Sequence, residues 1–471
     1  MSASAEEDSP RANKPLLGKY RTTDDDPDSD TLCVHSINNP RVDVVGVSTL
    51  RLQNAPEDTY NFNYIVFYFL GMTSILPWNF IMMAEEYWLF KFRNVTGNGT
   101  ELTPRQMEMQ ADLSMSSAIP STTFLIINAM IGYKVPLNRR MIGSYVLMTI
   151  LMIVTTIFVT VDTDKWQDEF FFVTIATVIV INSASAIASG SLFGIAGQFP
   201  SEYMTAVVSG QALGGIFAAL AEIIIITFHP PPDTSAFIYF IIGSVALFVS
   251  IFLYMIMQRT FCFKYFILHQ QMARTNSSRD LLTAAASTEI QQPSFKTVMD
   301  KIWVYGFSEW LVFVTTLAIY PSVTVLVNSE NKGNGHMWND IYFVPVVNYL
   351  LFNSGDYLGR IFAGLFEKPA NKPFVVAFLT IARILFIPLL ALCNTKPRHS
   401  LPVLFHSDSI FIFLMSALAL SNGYFANIAM ICAPKCVREH EREMASSIMA
   451  AFLGIGLACG SMISFLLVEL I

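Results

Sequence analysis

From Asn63 onward the chain consists of apolar stretches, each of about 20 residues or slightly more, separated by shorter polar segments, and few folds admit such a pattern. That length is what a helix needs to cross a hydrocarbon core of roughly 30 Å. Within lipid every backbone N–H and C=O must find a partner inside the protein, so only helices and closed barrels span it. Continuous apolar runs of this length select the helix. Eleven runs are read, at 62–83, 114–133, 141–161, 170–197, 204–228, 235–257, 302–327, 339–366, 373–394, 408–434 and 444–470. The predicted fold is an all-α polytopic membrane protein. Only 14% of the 471 residues are charged, against about a quarter in soluble domains.

The formal charge of −7 says little about a substrate, because residues 1–60 carry eleven acidic and six basic side chains, a balance of −5 that leaves −2 for the rest. Rich in Ser, Asp, Pro and Asn and without an apolar run of signal-peptide kind, residues 1–61 read as a disordered acidic cytosolic tail. With that tail inside, the loops on its side hold fourteen Lys and Arg and the opposite loops seven, the bias expected of cytosolic loops. Two glycosylation sequons, at Asn94 and Asn98, fall in the first outer loop, and an odd number of spans puts the C-terminus outside. Trp88, Trp166, Trp303 and Trp338 lie near span ends, as membrane-interface anchors do. The six cysteines lie in the tail or within and beside apolar runs, which argues against an extracellular disulfide framework.

The longest inner loop, 258–301, separates six spans from five. The expected organisation is a six-helix bundle over 62–257 and a five-helix bundle over 302–471, a 6+5 arrangement that suits alternating access around a midplane site. A channel or a receptor would give the same count.

Polar groups inside spans carry the functional signal, since an ionisable side chain at the bilayer centre costs about 2.5–3.5 kcal/mol on insertion scales. The eighth span holds Tyr349, Asn353, Asp356 and Arg360 at steps of four, three and four, which places them on one helical face. Asp356 and Arg360 can neutralise each other, and the aromatic ring and amide beside them offer stacking and hydrogen bonds to a neutral polar ring compound. An ion pair that merely joins two helices would show the same Asp and Arg. The first span carries Leu76-Pro77-Trp78-Asn79 with Met82 one turn after Trp78: a kink and a surface for a planar ring, or a packing kink with an interfacial Trp. Gly190, Gly194 and Gly197 in the fourth span, and Gly210, Gly214 and Gly215 in the fifth, permit close or sliding helix contact.

Arg140 begins the third span and Glu443 the eleventh, one in each half, so that a pair between them would lock the inner gate; two separate solvated charges is the plainer reading. Glu222 and Glu309 are further intramembrane acids that could carry protons or simply be satisfied by neighbouring helices. No His-Glu-x-x-His, phosphate loop or Gly-x-Ser-x-Gly elbow is present, and Cys432 with Cys436 supplies two metal ligands without a third. A transporter is expected rather than an enzyme, with no bound cofactor or metal.

Taken in order along the chain, Leu76-Pro77-Trp78-Asn79, Gly190-Ser191-Leu192-Phe193-Gly194, Ser209-Gly210-Gln211, Phe352-Asn353 with Asp356 and Gly359-Arg360, and Ser421-Asn422-Gly423-Tyr424 resemble the equilibrative nucleoside transporter family. The resemblance implies an eleven-span, major-facilitator-like fold and passive, bidirectional transport of nucleosides. It also implies that Asp356 and Arg360 serve the ribose hydroxyls, that Trp78, Asn79, Met82, Tyr349 and Asn353 line the cavity, and that Arg140 and Glu443 belong to the inner gate. Many members carry a glutamine directly before the Gly-Ser-Leu-Phe-Gly segment; here it is Ser189, whose hydroxyl reaches less far toward a base.

The function expected is facilitative transport of nucleosides such as adenosine and uridine at the plasma membrane, with the nucleoside and the lipid bilayer as partners, no nucleic acid and no obligatory protein partner. The alternative is a proton-assisted carrier of nucleosides or organic cations in an acidic endosomal or lysosomal compartment, motivated by Glu222, Glu309 and the long tail.

Overall fold

The computed structural model describes residues 56–94, 103–228, 230–268, 294–369, 372–396 and 402–470. Most of the expected tail, most of the 258–301 loop and Asn98 lie outside the described residues.

The spans are α1 (Phe62–Met83), α2 (Pro104–Ile131), α3 (Leu137–Thr160), α4 (Gln167–Ala196), α5 (Ser201–Phe228), α6 (Pro232–Met257), α7 (Phe295–Ile319), α8 (Leu351–Phe366), α9 (Pro373–Ala391), α10 (Asp408–Cys432) and α11 (Arg442–Leu470). Among the described residues ten of them are long and apolar enough to cross a bilayer unaided. The remaining crossing is α8 with the segment before it, which winds as π-helix over Trp338–Tyr342 and Val344–Leu350. The span read at 339–366 is thus helical, with its first half wound mainly as π-helix and its second as α-helix. Pro345 has no N–H to donate to an i−4 carbonyl, and π turns are a known way for a helix to absorb such a break.

Local sequence explains the helix ends. At the start of α2, Thr103 Oγ1 accepts from the Gln106 N–H at 3.2 Å while Gln106 Oε1 accepts from the Thr103 N–H at 2.7 Å, with Pro104 in the first turn where its missing N–H costs nothing. Exposure along α3 alternates by turn: Met141, Tyr145, Met148 and Met152 are buried, while Ile150, Ile153 and Ile157 are exposed. An outward row of isoleucines suits lipid, where the same residues would be unfavourable against water.

In the first half α1 packs on α5 and α6, α2 on α4, and α3 on α4 and α6; in the second, α7 packs on α9, α10 and α11, and α8 on α10. The halves meet along two seams, α5 against α8 and α10, and α11 against α2 and α4. Backbones approach closely within each half: a Cβ at Gly210 would overlap the Tyr68 carbonyl of α1, and one at Gly423 the Asp356 carbonyl of α8. Lipid tails give helices no hydrophobic reason to associate, so such small-residue contacts supply dispersion attraction in its place.

Candidate functional site

α8 turns Asn353, Asp356 and Arg360 toward the α5 and α10 side. Asp356 is 5% exposed and Arg360 9%, and Arg360 Nε donates to Asp356 Oδ2 at 2.8 Å. The other carboxylate oxygen accepts from Asn422 Nδ2 of α10 at 2.7 Å. Arg360 Nη1 reaches across the seam to the Val208 carbonyl of α5 at 2.8 Å. Beside it Asn427 Nδ2 donates to the Arg360 carbonyl at 2.7 Å and to Thr205 Oγ1 of α5 at 3.2 Å. The pair is thus held in both halves, with the hydrogen bonds that a buried ion pair needs to offset its desolvation.

A second arginine completes this network. α9 is interrupted by a 3₁₀ turn at Arg383–Leu385, and Arg383 is only 2% exposed. Its Nε donates to Ser421 Oγ at 3.0 Å, Nη1 to the Val312 carbonyl at 3.1 Å, and Nη2 to Thr316 Oγ1 at 2.9 Å and to Asn422 Oδ1 at 3.3 Å. Thr316 Oγ1 also donates to Asn422 Oδ1 at 2.7 Å. The Asn422 carboxamide therefore links the guanidinium of Arg383 to the carboxylate of Asp356. Reading the sequence for site residues singles out Asp356 and Arg360 and misses Arg383, although a charge in the middle of the ninth apolar run meets the same criterion. Glu309 of α7 is fully buried close to this network, and among the described residues neither of its carboxyl oxygens has a hydrogen-bond partner.

Tyr349 lies in the π-helical lead-in and Asn353 one turn on, where Asn353 Nδ2 donates to the Tyr349 carbonyl at 2.9 Å. A Cβ at Gly215 would strike the Asn353 amide, so the glycine of α5 makes room for it across the seam. Trp78, Asn79 and Met82 are half-buried on α1, and Ser189 is buried on α4. The Asn79 Nδ2 is buried without a partner among the described residues. Gln211 Nε2 donates to Ser74 Oγ at 3.3 Å, joining α5 to α1. Since α5 packs on both α1 and α8, it connects the aromatic residues of the first half with the charged stripe of the second.

At the end of the molecule where α1 begins, Arg140 and Glu443 meet. Arg140 Nη2 donates to Glu443 Oε1 at 2.7 Å, with side chains 6% and 12% exposed, and Arg140 Nη1 donates to Asn128 Oδ1 at 2.9 Å. Gly190 and Gly194 lie beneath this contact: a Cβ on the first would meet the Asn128 amide at 2.6 Å, and on the second Glu443 Cγ at 3.1 Å. The small-residue stripe of α4 is thus the floor on which α2 and α11 close.

A second crossing at the same end is not foreseen in the sequence. Glu367, just past α8 in a left-handed conformation (φ 39°), accepts from Ser201 Oγ of α5 at 2.7 Å and from Lys435 Nζ at 2.7 Å. Burial raises its carboxyl, but the hydrogen bonds from Lys435 and Ser201 and the Lys435 charge outweigh this and hold it below the ordinary carboxylate value.

The nucleoside transporter family model matches residues 175–469. Equilibrative nucleoside transporter 1 of Homo sapiens is 34% identical over 452 residues, covering 87% of this chain and 98% of that protein. Equilibrative nucleoside transporter 2 of Rattus norvegicus is 33% identical over 453 residues, covering 88% of this chain and 98% of that protein. Among solved structures, the major facilitator proton:xylose symporter XylE aligns with a TM-score of 0.54 at 11% identity, covering 85% of this chain and 87% of the symporter, a likeness of fold alone. With the motifs in chain order, the eleven crossings and these matches, the chain belongs to the nucleoside transporter family.

Proposed function

We propose that this protein carries nucleosides such as adenosine and uridine passively and in both directions across the membrane. The observation that carries the reading is the Asp356–Arg360 pair, neutral as a whole, buried at the seam between α5 and α8, with Asn353 and Tyr349 on the same side. A nucleoside is uncharged and offers ribose hydroxyls as donors and acceptors; a carboxylate and a guanidinium side by side bind both, and aromatic rings suit the base. In this reading Trp78, Asn79, Met82, Ser189, Tyr349, Asn353, Asp356 and Arg360 surround the substrate, and the six helices over 62–257 rock against the five over 302–471. The matches to named nucleoside transporters support it.

The end where α1 begins is read as cytosolic, so that Arg140 with Glu443 forms an inner gate and Ser201–Glu367–Lys435 a second latch on the opposite seam. Both tie the halves together in the structure, as fits a state closed to the cytosol. The plasma membrane is the proposed site, with the exposed Asn94 as a glycan acceptor in the outer loop and no catalysis assigned.

The test is uptake of radiolabelled adenosine and uridine into liposomes containing purified protein, without an imposed gradient. Saturable uptake that stops at equal concentrations, with counter-stimulation by preloaded nucleoside, is expected. Uptake appearing only with a proton gradient, or none by folded protein, overturns it.

A further inference from the structure

Glu309 is 0% exposed and sits on α7 one turn before Val312 and two before Thr316, both of which bind Arg383. Among the described residues its two carboxyl oxygens have no donor, although two guanidinium groups act on it electrostatically. The charged groups that act on it are Arg360 and Asp356 from α8 and Arg383 from α9. The nearby polar side chains of α10, Ser421 and Asn422, are already engaged with Arg383 and Asp356. From α11 the contacts flanking Glu309 on α7 are apolar or glycine: Phe452 lies over Gly306, and Gly456 lies against Trp310.

Two arginines and one aspartate leave the cluster with one uncompensated positive charge. Glu309 decides whether that charge stays: as an acid it leaves it, and as a carboxylate it cancels it. Among the described residues nothing donates to Glu309, and burial without donors costs a carboxylate far more than it costs the neutral acid.

Resting on the nucleoside-transport reading, we propose that Glu309 is a proton-binding site linked to nucleoside binding. With a proton on Glu309, Arg360 is left to Asp356 and the ribose-binding pair stays intact. When the proton leaves to water, the carboxylate competes for the Arg360 guanidinium and loosens the pair. The proton is exchanged with solvent and no other bond changes. Reciprocity then follows: if protonation strengthens nucleoside binding, nucleoside binding draws a proton onto the protein.

The experiment is calorimetric titration of the full-length purified protein with adenosine near pH 7, in two buffers of different ionisation heat. The wild type is expected to take up a fraction of one proton for each adenosine bound, and Glu309→Gln none. In liposomes held at the same pH on both sides, the KM for adenosine should be about threefold lower at about pH 5.5 than at about pH 7.5 in the wild type and constant in the variant, a linkage effect. Adenosine binding by the wild type without proton uptake overturns this proposal alone, even if the variant fails to fold. The same proton uptake in Glu309→Gln also overturns it. No adenosine binding by folded wild-type protein at any pH overturns the transport reading and this proposal with it.

Discussion

The polar interiors of the two halves are built differently. In the first half α1 is joined to its neighbours by hydroxyls and amides: Thr73 Oγ1 with Ser250 Oγ at 2.8 Å, Ser185 Oγ to the Ser74 carbonyl at 2.5 Å, and Gln211 to Ser74. In the second half α7, α8, α9 and α10 meet at charges: Asp356, Arg360 and Arg383, with Glu309 beside them. Hydroxyl contacts between membrane helices average about 0.6 kcal/mol, while breaking a buried ion pair by removing one partner costs about 3–5 kcal/mol. The first half can therefore adjust its contacts at little cost, whereas the second holds its helices together through charges.

The largest effect should come from breaking the charged side. Asp356→Asn and Arg360→Ala should each lower adenosine uptake by at least about thirtyfold, corresponding to about 2 kcal/mol or more for truncating one partner of a buried charged pair, with the protein still at the cell surface by biotinylation. Normal uptake by both would return the pair to helix–helix adhesion. Next comes the seam between halves: Arg140→Glu or Glu443→Arg should expose inner-gate positions to a membrane-impermeant thiol reagent from the cytosolic side, and the double reversal should protect them again. No protection in the double variant would leave the 2.7 Å contact without a gating role.

A smaller effect is expected in the first half. Thr73→Val keeps the shape, removes the contact to Ser250 and should lower thermal stability in detergent by only about 0.6 kcal/mol, with uptake retained. A loss of the size seen at Asp356 would erase the contrast between the halves.

The smallest effect concerns pH at the second latch. The Glu367 carboxyl is held below its ordinary value, so the stability it contributes is present above the unfolded value and is lost only as pH falls through the folded one. Glu367→Gln should thus leave the pH dependence of uptake between about pH 5.5 and about pH 7.5 unchanged. A change in that window would transfer to this latch the proton effect assigned to Glu309.

Much of this organisation is legible in the sequence because lipid enforces it. Spans must be near a fixed length, and steps of three and four put Asn353, Asp356 and Arg360 together whatever surrounds them. Arg140 and Glu443 can be placed at one end from their positions at the starts of the third and eleventh spans, but from sequence two separate solvated charges is the plainer reading. What cannot be read is contact between spans far apart in the chain. The hydrogen-bond link from Arg383 to Asp356 runs through Asn422, a residue visible as part of a motif but not as a bridge. Glu367 meets Ser201 from a left-handed turn just past α8, and Pro345 marks a break before α8 without specifying that π winding takes it up.

The Asn422 bridge is directional. Arginine only gives hydrogens and carboxylate only receives them, so a carboxamide between the two can face one way alone, oxygen to Arg383 and nitrogen to Asp356. The Thr316 hydroxyl is fixed as well, since it receives from Arg383 and must give to Asn422. The chain from Arg383 to Arg360 consequently has a single wiring, with no rotor free to reverse and no tautomer to choose. It works as a polarised strut, and replacing its centre by the isosteric Asn422→Asp would confront two carboxylates at its middle.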